Sequence, residues 1–164
     1  MNHSDVMRVL SDPVAQYLFN SPLLAHFAYA GSDGFPRVVP VGYLWKGDRF
    51  VICTPANAPK VAALTINPKV ALSIDSVTQP PRVLLVRGVA SIEVVDGIPA
   101  EFLEASSKSL TAEERPGFTA QARSLYKQMA RIWIEPKWAK VIDFETRLPV
   151  AIEELATGRS QRRL

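Results

Sequence analysis

The strongest chemical signal in the sequence is the run Thr54-Pro55-Ala56-Asn57-Ala58-Pro59-Lys60. It lies where an apolar predicted strand, residues 50–53, meets a short predicted helix, residues 61–67. A lysine in a first helical turn opposes the helix dipole at a cost of about 0.3–1 kcal/mol, so its presence calls for an anion nearby. Phosphate fits: the N–H groups of Ala56, Asn57, Ala58 and Val61, the Thr54 hydroxyl and the Lys60 ammonium can converge on one oxyanion. Pro55 and Pro59 withhold donors, and Pro59 behind an Asn57 or Ala58 cap also reads as ordinary helix initiation.

A second run, Arg37-Val38-Val39-Pro40-Val41-Gly42-Tyr43-Leu44-Trp45, reads as a strand with two unusual members. Pro40 cannot donate to a ladder and Gly42 packs nothing. With period two, Val38, Pro40, Gly42 and Leu44 share a nearly smooth face, opposite Arg37, Val39, Val41, Tyr43 and Trp45. Such a face suits a flat molecule lying along the backbone, and a bulged edge strand produces the same pattern. Tyr43, Trp45 and Trp138 can shape a substrate pocket, with core packing as the competing role. Cys53, in an apolar strand, reads as a buried inert thiol. His3 falls in a predicted N-terminal tail and His26 in a strand, and neither joins a spaced ligand set, so no metal site is expected. No acid/base pair or nucleophilic triad stands out, which favours hydride transfer over hydrolysis.

The elements that must position these residues alternate quickly. Asp12 or Ser11 can cap a helix with Pro13 in its first turn, ending near Asn20. Strands follow at residues 23–30, 37–45 and 49–54, joined by turns at Ser32-Asp33-Gly34 and Lys46-Gly47-Asp48, as an antiparallel meander. After the short helix, strands are predicted at 70–75 and 83–95, the latter with a bulge or bend at Gly88. Residues 99–130 read as helical with an interruption at Pro116-Gly117, and strands return at 131–135 and 138–145, split by Pro136-Lys137. Six or seven short strands with flanking helices predict a mostly β, antiparallel Greek-key barrel.

The chain has 164 residues, 48% of them hydrophobic and 21% charged, ordinary values for one globular domain. Residues 1–155 are assigned to that domain and 156–164 to a basic tail expected to be disordered. A net charge of +3 is too small to argue for nucleic acid. No apolar run reaches a membrane span and no leader is recognisable, so a cytoplasmic protein is expected.

The stretch GFPRVVPVGYLWKGDRFVICTPANAPKVAALTINPKVALSID resembles the pyridoxamine 5'-phosphate oxidase-like, FMN-binding split-barrel family. The marks are G-x-P-R-x-x-P-V, a hairpin, T-x5-K, a helix and N-P-x-V-A-L, in that order, and the likeness is best over residues 13–95. The resemblance implies a homodimer of split barrels with FMN in the interface. It implies Arg37, Val38, Val39, Pro40 and Val41 beside the flavin, Thr54 and Lys60 on its phosphate, and Cys53, Ala58 and Pro59 among the other cofactor-binding positions. Hydride exchange with a small organic substrate would follow, with NAD(P)H as a candidate reductant. Two departures matter: true oxidases carry serine and arginine where this chain has Ala58 and Pro59, and lysine where it has Gly42. Vitamin B6 oxidation is therefore not expected. The deazaflavin F420 in place of FMN, or a flavin- or haem-binding protein without turnover, with His26 as haem ligand, are the alternatives.

Overall fold

The computed structural model describes residues 1–157; the predicted tail lies outside them from residue 158 onward. Among the described residues, seven strands form one antiparallel sheet in the order β2-β1-β5-β6-β7-β4-β3, flanked by six helices. The strands are β1 Ala25–Ala30, β2 Pro36–Val41, β3 Leu44–Trp45, β4 Phe50–Pro55, β5 Lys69–Asp75, β6 Arg82–Asp96 and β7 Gln128–Asp143. The helices are α1 His3–Leu10, α2 Pro13–Asn20, α3 Pro59–Ile66, α4 Ala100–Ser107, α5 Glu114–Leu125 and α6 Val150–Ala156.

Chain connectivity closes this sheet. Flat, a seven-stranded sheet would hold its edges about 29 Å apart at about 4.8 Å per strand. Yet the edge strands β2 and β3 are joined by Gly42 and Tyr43 alone, which span at most about 11 Å from Val41 to Leu44. The sheet therefore curls into a barrel, and Val39 and Val41 from β2 pack on the same core as Phe27, Phe50, Ile52, Leu72, Ile132 and Ile134. The predicted single strand 37–45 is thus two strands on opposite edges, and the predicted meander is two hairpins that do not pair with each other.

Three further expectations change. The N-terminal segment is not a tail: Asn2 accepts from the Asp5 N–H at 2.8 Å, and α1 buries Val6 and Leu10. The 131–135 and 138–145 strands are one, because β7 passes through Pro136 opposite Gly88 at a register shift that leaves Lys137 as the extra residue. The bulge spares Pro136 the ladder bond it cannot make. Helix α5 runs through Pro116 and Gly117, since proline in a first turn lacks only an N–H that had no helical partner; Thr111 and Glu114 exchange side-chain bonds to each other's N–H groups at 3.3 and 2.8 Å just before it. The helix does not reach Ala130, because residues from Gln128 join β7.

The Asp12 cap of α2 is as predicted, accepting from the Val14 N–H at 2.9 Å. Among the described residues no helix is long and apolar enough to cross a membrane, and no three His, Cys, Asp or Glu side chains gather as a metal site.

Candidate functional site

Pro55 ends β4 and Pro59 begins α3, so a turn of three residues carries the chain between them. Ala58 caps the helix in extended conformation without a side-chain bond. The turn folds Lys60 back on the strand it follows: its Nζ donates to Thr54 Oγ1 at 3.3 Å. Thr54 is only 6% exposed. Lys60 is half-buried, and burial alone pushes its ammonium below the usual lysine range, with no carboxylate among the described residues beside it to counter the shift.

The backbone donors are fewer than the sequence promised. Ala56 N–H is taken by the Gln128 carbonyl at 3.4 Å, Ala58 by Pro55 at 3.0 Å and Val61 by Ala58 at 2.9 Å. Of the four proposed N–H groups, three are spent on the protein itself, which leaves that of Asn57. The cradle for an anion is chiefly one ammonium and one hydroxyl.

Arg37 does not join them. Its guanidinium pairs with Asp33 at 2.6 Å across the β1–β2 turn. The predicted alternation of β2 holds: Val39 and Val41 pack on the core, whereas Val38 points outward and is 63% exposed. Pairing extends Val38 into an outward row across the sheet, Val38–Ala28–Ala71–Arg87–Trp138. Arg87 lies 4.4 Å from the centre of the Trp138 ring, and a cavity of about 250 Å³ lined by His26, Val38, Arg87 and Trp138 opens on this face. His26 Nδ1 is 3.4 Å from Asp75 Oδ1 on the same face. Sequence reasoning missed Arg87 and His26 as neighbours of Val38, since only the register makes them so.

Tyr43 and Trp45 take the packing role. Tyr43 is buried, donates from its hydroxyl to the Leu18 carbonyl at 3.2 Å, and is pushed up in pKa by burial. Trp45 stacks on Phe19 at 5.4 Å and leans on Phe50 at 4.7 Å. Gly42 faces the α4 helix, where an added Cβ would meet that of Ala105 at 3.7 Å, so it does not belong to the smooth outward face of Val38. Lys108, also missed, reaches from the end of α4 to the carbonyls of Phe19 at 2.8 Å and Tyr43 at 3.3 Å. Cys53 is held protonated: burial, and then Glu101, push its thiol up to about 12, as an inert thiol requires.

A family model described as pyridoxamine 5'-phosphate oxidase matches residues 11–142. No curated protein matches the sequence. Among solved structures, an F420 reductase is 26% identical with a TM-score of 0.60, covering 76% of this chain and 94% of that one. General Stress Protein 26 from Bacillus anthracis is 16% identical with a TM-score of 0.57, covering 79% and 92%. HutZ, a haem storage protein from Vibrio cholerae, is 14% identical with a TM-score of 0.56, covering 80% and 92%. These last two share the fold alone. With the closed sheet, the order of its strands and a family match over most of its length, the chain belongs to the pyridoxamine 5'-phosphate oxidase family.

Proposed function

We propose that the protein is an oxidoreductase that binds a flavin-type cofactor, with Thr54 and Lys60 on the cofactor's phosphate. One observation carries this reading: a part-buried ammonium, bonded to a nearly buried hydroxyl at 3.3 Å, with no carboxylate among the described residues to balance it. Burying such a charge is costly unless an anion arrives. When bound, a flavin or deazaflavin supplies a ring that exchanges hydride with a small organic substrate.

The chain's own part is to bind and orient. Lys60 and Thr54 anchor the phosphate, and Val38 and Pro40 offer the ring a side-chain-poor strand. Trp138 and Arg87 bound the adjoining cavity, where a small substrate is to be held. The outward row around Val38 and Ala28 is where a second copy packs, giving a homodimer.

FMN is the first candidate from the residue pattern. F420 is the second, favoured by the 26% identity to an F420 reductase. The test is equilibrium binding of riboflavin and FMN to the purified protein and to Lys60→Ala. Loss of FMN affinity without loss of riboflavin affinity is expected. Equal losses for both would overturn the assignment of Lys60 to the phosphate.

A further inference from the structure

The cavity beside Val38 and Trp138 is apolar except along two rows of the sheet. Arg87 stands in the row of Ala28 and Ala71, and His26 and Ser73 stand in the next. We infer that this cavity takes a small carboxylate with an apolar body, its carboxylate on Arg87, so that Arg87 decides which molecules the protein accepts. The inference deepens the oxidoreductase reading above and rests on it in calling the occupant a substrate.

Arg87 is an uncommitted cation. Six arginines, Arg37 and Arg131 among them, sit beside a carboxylate, but Arg87 has none among the described residues. It lies instead on the face of Trp138, 4.4 Å from the ring centre. Stacking of this kind occupies the plane of a guanidinium and leaves its N–H edge free, and that edge matches the two oxygens of a carboxylate.

The charge around it points the same way. Asp75 lies against His26 at 3.4 Å, and Glu135 pairs with Lys137, so neither acid is left for Arg87. Lys69 and Lys137 line, with Arg87, a neighbouring cavity of about 610 Å³, and Lys140 stands opposite Leu85 on the same face. Lys69, Arg87, Lys137 and Lys140 together outnumber Asp75 and Glu135, and such an excess draws an anion.

The lining decides what kind of anion. Around the guanidinium are Ala28, Val38, Ala71, Leu85 and the Trp138 ring, enclosing about 250 Å³. An inorganic ion would leave these surfaces in water, whereas a hydrocarbon or aromatic body covers them. That volume lies below the range of about 300–1,000 Å³ usual for ligand pockets, so the body is small. His26 and Ser73, one row away at about 7 Å along the strands, can meet a second polar group at its far end.

The experiment titrates the purified protein by calorimetry at neutral pH with benzoate, trans-cinnamate and hexanoate, and with the amide of each. At least one carboxylate is expected to bind about tenfold or more tightly than its amide, the worth of one charge-assisted pair. Arg87→Met is expected to abolish that preference, and Arg87→Lys to keep only part of it, since an ammonium lacks the planar fork. Lys69→Met, which removes a charge from the neighbouring cavity, is expected to cost less than Arg87→Met. Carboxylates and amides that bind alike or fail alike would overturn the inference, as would a preference that survives Arg87→Met. A particle mass that falls on Arg87→Met, with no carboxylate preferred, would overturn it too and give Arg87 to the contact between copies. These titrations need no cofactor. A missing preference beside an intact Lys60 dependence of FMN binding strikes the substrate class alone, whereas the reverse result strikes the cofactor reading and leaves a carboxylate site.

Discussion

Gly88 lies against the backbone of Glu135: a Cβ built on Gly88 would stand 2.6 Å from the Glu135 carbonyl oxygen and 2.7 Å from the Ile134 side chain. No side chain fits there without moving the β6–β7 ladder. The contact sits at the register shift that lets β7 pass through Pro136 and sets Arg87 opposite Trp138.

Gly88→Val should therefore destabilise the fold by about 2–4 kcal/mol, at or above the usual cost of overpacking because backbone must give way. Urea unfolding measures it. A loss under about 0.5 kcal/mol would mean that the two strands can part at the bulge without cost.

Lys60 makes a pH-dependent prediction. Burial lowers its folded pKa below 10.5, so between the two values the unfolded chain binds more protons and stability rises with pH. Below that window the folded state bears the whole cost of the part-buried charge. Lys60→Met should then be the more stable protein at pH 7 without ligand, with the difference shrinking as pH climbs toward 10.5. Urea midpoints of both proteins at pH 7 and pH 10 test this. A wild type more stable than Lys60→Met at pH 7 would show that the lysine is kept for structure and not for an anion.

Asp12 joins the two ends of the described chain. Its carboxylate caps α2 and accepts from Arg147 Nη2 at 3.1 Å. The Arg147 hydrogen bond leads the causes holding it below its usual 3.8. A depressed carboxylate adds stability that is present above 3.8 and lost as pH falls through the lower folded value. Asp12→Ala should cost about 1 kcal/mol at pH 7, mostly from the cap. Its stability should also decline less than that of the wild type below pH 4, as thermal melts across pH 3–7 would report.

Legibility followed the range of the interactions. Caps and turns are local, so Asp12 and the Asp33–Gly34 turn can be read directly from residue type, and Gly88 marks the register shift although the extra residue, Lys137, lies on the partner strand. Lys60 beside Thr54 was equally local, six positions apart and joined by a turn. Misreadings arose where a distant partner decided the outcome. Residues 37–45 look continuous, and only closure of the barrel divides them at Gly42 and Tyr43. Pro136 looks like a strand break until Gly88, far away in sequence, is placed opposite it. Arg87 and His26 gained interest only when register put them on one face with Val38. The N-terminal helix was missed although Asn2, Val6 and Leu10 have a cap and a helical stripe, a signal too short to outweigh its polar neighbours.

That outward face yields the last prediction. Val38 is 63% exposed and Val89 38% exposed, and between their strands lie Ala28 and Ala71, too small to shield the sheet. A homodimer formed through this face would bury the row and place Arg87 near the interface. Val38→Lys should break such a dimer, because the new ammonium would be desolvated in the interface with no acid introduced to offset it. The same change should leave the monomer intact, since β2 is an edge strand in the pairing order of the sheet and lysine is a common residue on edges. Light scattering after gel filtration would show the mass fall to about half while circular dichroism stays unchanged. A dimer of unaltered mass and affinity would place the interface on another face of the barrel.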